Sequence, residues 1–208
     1  MGFGLLVAVV VSQATSVQAF IASVESHYRG LGTFSMPVSI TVTPSSLDPR
    51  SKVTQRTGEL TVQNPAMMAY VSDDGLNQVA IDGRRFRTIT HASARAPSLF
   101  EAFDLQNARI TDRLWSYVAR ILTGPASLNT VTRFMGPTQV PATPVGLVGT
   151  SLVQGTVWRT LRLEVDPTTL EVTQFTLRSS DGTTTDLTFG PARRVPAVPP
   201  SAFVLSPP

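Results

Sequence analysis

Residues 34–42, FSMPVSITV, alternate without a break. Phe34, Met36, Val38, Ile40 and Val42 fall on one side, and Ser35, Pro37, Ser39 and Thr41 on the other. Successive side chains of a strand point to opposite faces, so the pattern predicts a strand with one apolar face. That face needs a covering layer, and this requirement governs what the rest of the chain must supply. Pro37 has no N–H to offer a ladder, which predicts an edge position or a bulge.

Further strands follow the same logic. One runs from about Gln55 to Gln63, is broken by Asn64-Pro65, and resumes as MMAYV. Strand-like stretches VAID, RRFRTIT, VGLVGTSLVQ, TVWRTLRLEV, EVTQFTLRS and TTTDLTFG are separated by turn signals. Asp73-Asp74-Gly75, Asp82-Gly83 and Asp181-Gly182 suit tight hairpins, with Gln154-Gly155 and Asp166-Pro167 as weaker turns. A last strand is expected at Ala202–Leu205. About ten strands in two runs, joined by short turns, predict an antiparallel meander.

Two stretches read as helix. Phe20, Ile21, Val24, Tyr28 and Leu31 share one helical face, and Gly30 and Gly32 end it. In 108–122, Ile110, Leu114, Trp115, Val118, Ile121 and Leu122 form another face, with Asp112 favourable near its start and Gly124-Pro125 as a stop. SLFEAFDL, 98–105, is read as a short helix before it. Helices between two runs of strands predict an α+β fold, in which one curled antiparallel sheet of ten to eleven strands is covered on its concave face by short helices. At 208 residues, with no linker or repeat, the chain reads as one domain over 20–208. Residues 1–19 are uncharged, carry an apolar run at Phe3–Val11, and end in Val17-Gln18-Ala19, which predicts a cleaved signal peptide and export.

The composition leaves little room for chemistry. The chain has no cysteine, which excludes disulfides, thiolate metal sites and a cysteine nucleophile. Its two histidines, His27 and His91, read as surface or turn residues, and Asp73-Asp74 as a turn instead of a catalytic pair. No nucleotide-binding, metalloprotease or nucleophile-elbow motif occurs. Of 17 Lys and Arg only Lys52 is lysine, and the arginines are scattered, with Arg84-Arg85-Phe86-Arg87 the one local cluster. A nucleic-acid footprint would be a basic stripe. The expectation is a monomeric binding protein with no catalytic residues, no metal, no cofactor and no nucleic-acid partner.

GELTVQNPAMMAYV followed by NQVAIDGRRF, then LRLEVDPTTLEVTQFTLRSSDGTTTDLTF, then the closing SAFVLSPP, together resemble the outer-membrane lipoprotein carrier (LolA-like) family. The likeness lies in strand register and turn placement over most of residues 20–208. It implies a half-open β-barrel lidded by helices, acting as a periplasmic chaperone. Such a carrier takes acylated lipoproteins from an inner-membrane releasing transporter and hands them to an outer-membrane acceptor. The lack of cysteine agrees with a carrier that is not itself lipid-anchored. Where the family keeps an arginine before the proline, this chain has Asn64. That arginine bonds to lid-helix backbone, so Asn64, or Arg56 in its place, is the candidate for closing the lid.

On this reading Phe34, Met36, Val38, Ile40, Met68, Tyr70 and Phe86 line the sheet side of a lipid cavity. Leu99, Phe103, Leu114, Trp115 and Val118 line the lid side. Strand parity puts Met68 and Tyr70 on one face and Met67 on the other. Two alternatives stay open: a carrier of another lipid or amphiphile, and a regulator of the same fold that binds a partner protein and senses lipoproteins.

Overall fold

The computed structural model describes residues 16–45, 50–91, 97–104, 114–124, 126–135, 144–152 and 157–207. Helix α1 (Val17–Leu31) starts at Ser16, whose side chain accepts from the Ala19 N–H, and ends at Gly32 with φ of 75°. Residues 16–19 of the expected leader therefore cap and begin α1, and residues 1–15 lie outside the described residues. Six strands follow: β1 (Thr33–Thr43), β2 (Thr54–Gln63), β3 (Met67–Ser72), β4 (Asn77–Asp82), β5 (Arg85–His91) and β6 (Ser98–Asp104). Helix α2 (Leu114–Thr123) comes next. The chain then forms β7 (Thr132–Met135), β8 (Val145–Ser151), β9 (Trp158–Val165), β10 (Val172–Ser179), β11 (Thr184–Phe189) and the two-residue β12 (Arg193–Arg194).

All of these strands join one antiparallel sheet, in the order β6-β5-β4-β3-β2-β1-β11-β10-β9-β8-β7, with β12 beside the start of β1. Strands β6 and β7 are its edges, so the sheet is an open half-barrel, and α1 and α2 cover its concave face. Register explains how the face is built. Phe34, Val62, Met68, Ile81, Phe86 and Phe103 are successive ladder partners across β1 to β6. On the other side of β1, Ile40, Leu187, Phe175, Leu163 and Leu147 form the matching row. These rows pack under Phe20, Ile21, Val24 and Tyr28 of α1 and Trp115, Val118, Ile121 and Leu122 of α2 in one core.

Polar groups tie α1 to this core. Glu25, only 3% exposed, accepts from Ser127 Oγ at 2.9 Å and from the Leu128 N–H at 2.8 Å, at the start of a 3₁₀ turn, Leu128–Thr130. The β9–β10 ladder slips at Thr173, where Val172 and Gln174 pair with consecutive residues. The Val172 N–H at this bulge donates to the Tyr28 hydroxyl at 2.8 Å.

The structure corrects several expectations. Residues 98–104 are the edge strand β6, not a helix, because Phe103 and Phe100 find cross-strand partners in Phe86 and Ile89 of β5. Leu99 and Phe103 therefore sit on the sheet and not on a lid. Strand β1 is central instead of lying at an edge. Pro37 is accommodated because β1 changes neighbour there, pairing with β12 at Phe34 and Ser35 and with β11 from Val38 onward. Gly190 crosses beside that ring: a Cβ there would lie 2.4 Å from Pro37 Cγ. Asn64-Pro65-Ala66 reverses the chain, since Gln63 pairs with Met67, and the Asn64–Pro65 bond is cis. The end of the chain forms a 3₁₀ turn, Pro200–Phe203, against β3 and β4 in place of a strand, with Phe203 buried. The expected helix is described from Leu114; its earlier part, Asp112 included, and the turn at Gln154-Gly155 lie outside the described residues.

Candidate functional site

Along β2 the inward positions are Val62, Leu60, Gly58 and Arg56, buried until the last, which is exposed. The same change occurs on neighbouring strands. Tyr70, Val79, Thr88 and Glu101 are ladder partners in one row, and Asn77, Thr90 and Leu99 in the next. The concave face is thus apolar in its depth and turns polar toward one end. At that end a cleft of about 310 Å³ opens between the sheet and the first residues of α2. Ile40, Val42, Tyr70, Val79, Leu114, Trp115 and Trp158 give its apolar wall. Arg56, Asn77, Gln78, Thr88, Thr90, Glu101 and Thr185 give its polar wall. The volume is at the lower end of the roughly 300–1,000 Å³ usual for ligand pockets.

One glycine shapes the join between floor and lid. A Cβ on Gly58 would lie 2.8 Å from Tyr70 Cε2 and 2.3 Å from the Val71 carbonyl oxygen. Its absence lets the Tyr70 ring lie across β2 and meet Trp115 of α2, with centroids 4.6 Å apart and planes tilted by 31°. Tyr70 is 1% exposed, and its hydroxyl has no hydrogen-bond partner among the described residues. Burial pushes its pKa up, with Asp73 adding to the shift and Arg56 opposing it. Arg56 donates to Asn77 Oδ1 at 3.0 Å. That bond fixes the amide, and leaves the buried Asn77 Nδ2 as a donor with no partner among the described residues.

Of the residues singled out from the sequence, all but Asn64 fall into three groups. Phe34, Met36, Val38, Met68 and Phe86 on the sheet and Val118 on α2 are fully buried in the core between the two layers. Ile40, Tyr70, Leu114, Trp115 and Arg56 border the cleft. Leu99 is 60% exposed on β6, and Phe103, on the same strand, packs partly buried against the core. Met67 is half-buried on the opposite face of β3 from Met68 and Tyr70. Asn64 lies away from the cleft, at the other end of β2. Its amide donates to the Tyr28 carbonyl at 2.9 Å and the Gly32 carbonyl at 3.3 Å, holding the last turn of α1. Asn77, Thr88, Thr90, Glu101, Trp158 and Thr185 were not singled out from the sequence. Each is an ordinary strand residue; they stand on five strands, and only the register of the sheet gathers them.

The turn carboxylates are occupied locally. Asp74 accepts from Ser72 Oγ and the Leu76 N–H, bonds that hold its carboxyl below the ordinary carboxylate range. Asp181 does the same with Ser179 and the Thr183 N–H. His91 is the ladder partner of Ser98 on the outer face, away from the cleft, and His27 packs edge-on against Tyr28. Among the described residues no group of three or more His, Asp or Glu could hold a metal, and no helix is long and apolar enough to cross a membrane.

No protein-family model and no curated protein matches the chain. Among solved structures it is similar to a domain assigned to outer membrane lipoprotein sorting from Vibrio parahaemolyticus, at 7% identity and a TM-score of 0.49, over 92% of this chain and 97% of that one. It is also similar to a LolA superfamily protein from Nitrosomonas europaea, at 10% identity and a TM-score of 0.44, over 89% of this chain and 97% of that one. A third likeness is to MucB, at 13% identity and a TM-score of 0.43, over 91% of this chain and 62% of that one.

Proposed function

We propose that the protein is a periplasmic carrier that shelters the acyl chains of lipoproteins between α2 and the concave sheet face, and moves them from the inner to the outer membrane. The observation that carries this reading is the cleft itself. Its apolar wall, with Ile40, Leu114, Trp115 and Trp158, continues inward to a core lined with Met36, Met68 and Phe34. The resemblance of the strand and turn pattern to the lipoprotein carrier family points the same way.

The energetics suit a carrier. Burying a CH₂ is worth about 0.8 kcal/mol, so full burial of long chains in a preformed void would bind too tightly for release. Here the deep apolar surface is already covered by helix side chains. A cargo chain that enters must displace some of them, and the net gain is smaller than the gross burial. Methionines at the contact adapt to irregular shapes.

A photo-crosslinker placed at Leu114 or Ile40 tests the reading in living cells, with mass spectrometry of the captured species. Capture of triacylated lipoprotein supports it. Capture of a phospholipid or glycolipid alone replaces it with a lipid carrier, and capture of an unacylated protein with a partner-binding regulator.

A further inference from the structure

Resting on the acyl-carrier reading, we infer that Tyr70, Asn77 and Arg56 form a subsite for the neutral ester head of a diacylglyceryl amphiphile, whose chains run inward under α2. The hydrogen-bonding inventory at the cleft carries this. The Tyr70 hydroxyl and Asn77 Nδ2 are buried and lack partners among the described residues. Buried polar groups are almost always satisfied, and each exception calls for an explanation. Asn77 cannot turn its amide over without losing its bond to Arg56. The site therefore presents donors, and the group that satisfies it is an acceptor.

Charge decides which acceptor. Among the described residues that border the cleft, a phosphate or carboxylate would meet one cation, Arg56. Opposing it are Asp73 and Asp74, whose charges reach the Tyr70 hydroxyl together with that of Arg56. Two carboxylates against one guanidinium disfavour an anion. A neutral ester carbonyl accepts from the same donors without that repulsion. Its position is also suitable: the donors lie where the concave face changes from apolar to polar, as does the linkage between chains and head in such an amphiphile.

The chain's two tryptophans, Trp115 and Trp158, both border the cleft, so their fluorescence reports on it. The test compares quenching by brominated-chain diacylglycerol, the ether-linked dialkyl analogue that lacks carbonyls, phosphatidate, and a diacylglyceryl-cysteine peptide. The expected result is roughly tenfold tighter binding of ester than ether, with phosphatidate weaker than diacylglycerol. Tyr70→Phe and Asn77→Asp should each remove most of the ester preference while leaving ether affinity in place. Tyr70→Phe keeps the ring on Trp115, and retained ether binding shows that each variant is folded. Tighter binding of the cysteine peptide than of diacylglycerol identifies lipoprotein as the source of the head, and equal binding identifies free lipid; ester selectivity in either supports the subsite. Equal affinity for ester and ether overturns the subsite but leaves the acyl-carrier reading standing. Tightest binding of phosphatidate overturns it in favour of an anion site. Quenching by none of the four overturns both.

Discussion

Tyr28 shows how one side chain links the helix layer to an irregularity in the sheet. A bulge leaves the Val172 N–H off the ladder, and the Tyr28 hydroxyl takes it at 2.8 Å. Tyr28→Phe keeps the ring, stacked on Phe34 at 5.5 Å, but leaves a buried N–H unpaired, so it should cost about 1–3 kcal/mol in urea denaturation. The substitution has a pH signature as well. Burial pushes the Tyr28 pKa up, the Val172 bond opposes this and Glu171 adds to it, so the folded phenol ionises well above the usual value near 10. Above about pH 10 the unfolded chain sheds a proton that the folded chain keeps, and stability falls with rising pH. This contribution is complete below about pH 10 and is lost as pH climbs through the folded pKa. Urea midpoints should therefore decline more steeply in alkali for the native chain than for Tyr28→Phe. Tyr70 shifts in the same direction and keeps a residual slope in that variant. Asn64 makes a related contribution at the other end of β2. Asn64→Ala removes its bonds to the Tyr28 and Gly32 carbonyls and should cost about 1–2 kcal/mol by the same measurement.

At the scale of elements, the contact between β2, β3 and α2 hangs on Gly58. A methyl there would meet backbone at 2.3 Å and the Tyr70 ring at 2.8 Å, and backbone cannot yield as a side-chain tip can. Gly58→Ala should cost about 1–3 kcal/mol in thermal or chemical unfolding, and it should shift Trp115 emission as the Tyr70 ring is displaced. A silent emission spectrum would mean the stack does not depend on this glycine. The elements differed in how plainly the sequence announced them. FSMPVSITV could be read outright because every inward residue of β1 is apolar and every outward one is not. SLFEAFD could not, because Leu99, Phe100 and Phe103 occupy both parities, and only pairing with β5 selects strand over helix. The deep floor was likewise visible as apolar alternation. The polar mouth was not: Arg56, Asn77, Thr88 and Glu101 stand on four different strands, each unremarkable until the ladders align them.

For the whole molecule, the two helices are held in different ways, and this predicts which one moves. Helix α1 is tied at several points along its length: Glu25 to Ser127 and Leu128, Tyr28 to Val172, Asn64 to its last turn, and Arg194 to the Gly30 carbonyl at 3.2 Å. Helix α2 borders the cleft with Leu114 and Trp115, reaches Thr130 through Arg120 at 3.3 Å, and buries a mostly apolar face with Tyr117, Val118, Ile121 and Leu122. Apolar contact carries no directional preference, so α2 can shift over a cargo chain and exchange one set of apolar neighbours for another. Moving α1 would break several hydrogen bonds at once, those from the Leu128 and Val172 N–H groups being buried. Loading with a lipopeptide should therefore change hydrogen exchange in α2 and in the cleft strands β4 and β5, while α1 keeps its protection. Ligand at a hundred times its Kd should add about 2.7 kcal/mol to global stability, read as a rise in Tm. A change centred on α1 would place the moving lid on the wrong helix. Unchanged exchange in both helices despite the Tm rise would mean that cargo fits the cleft as it stands, without displacing either one.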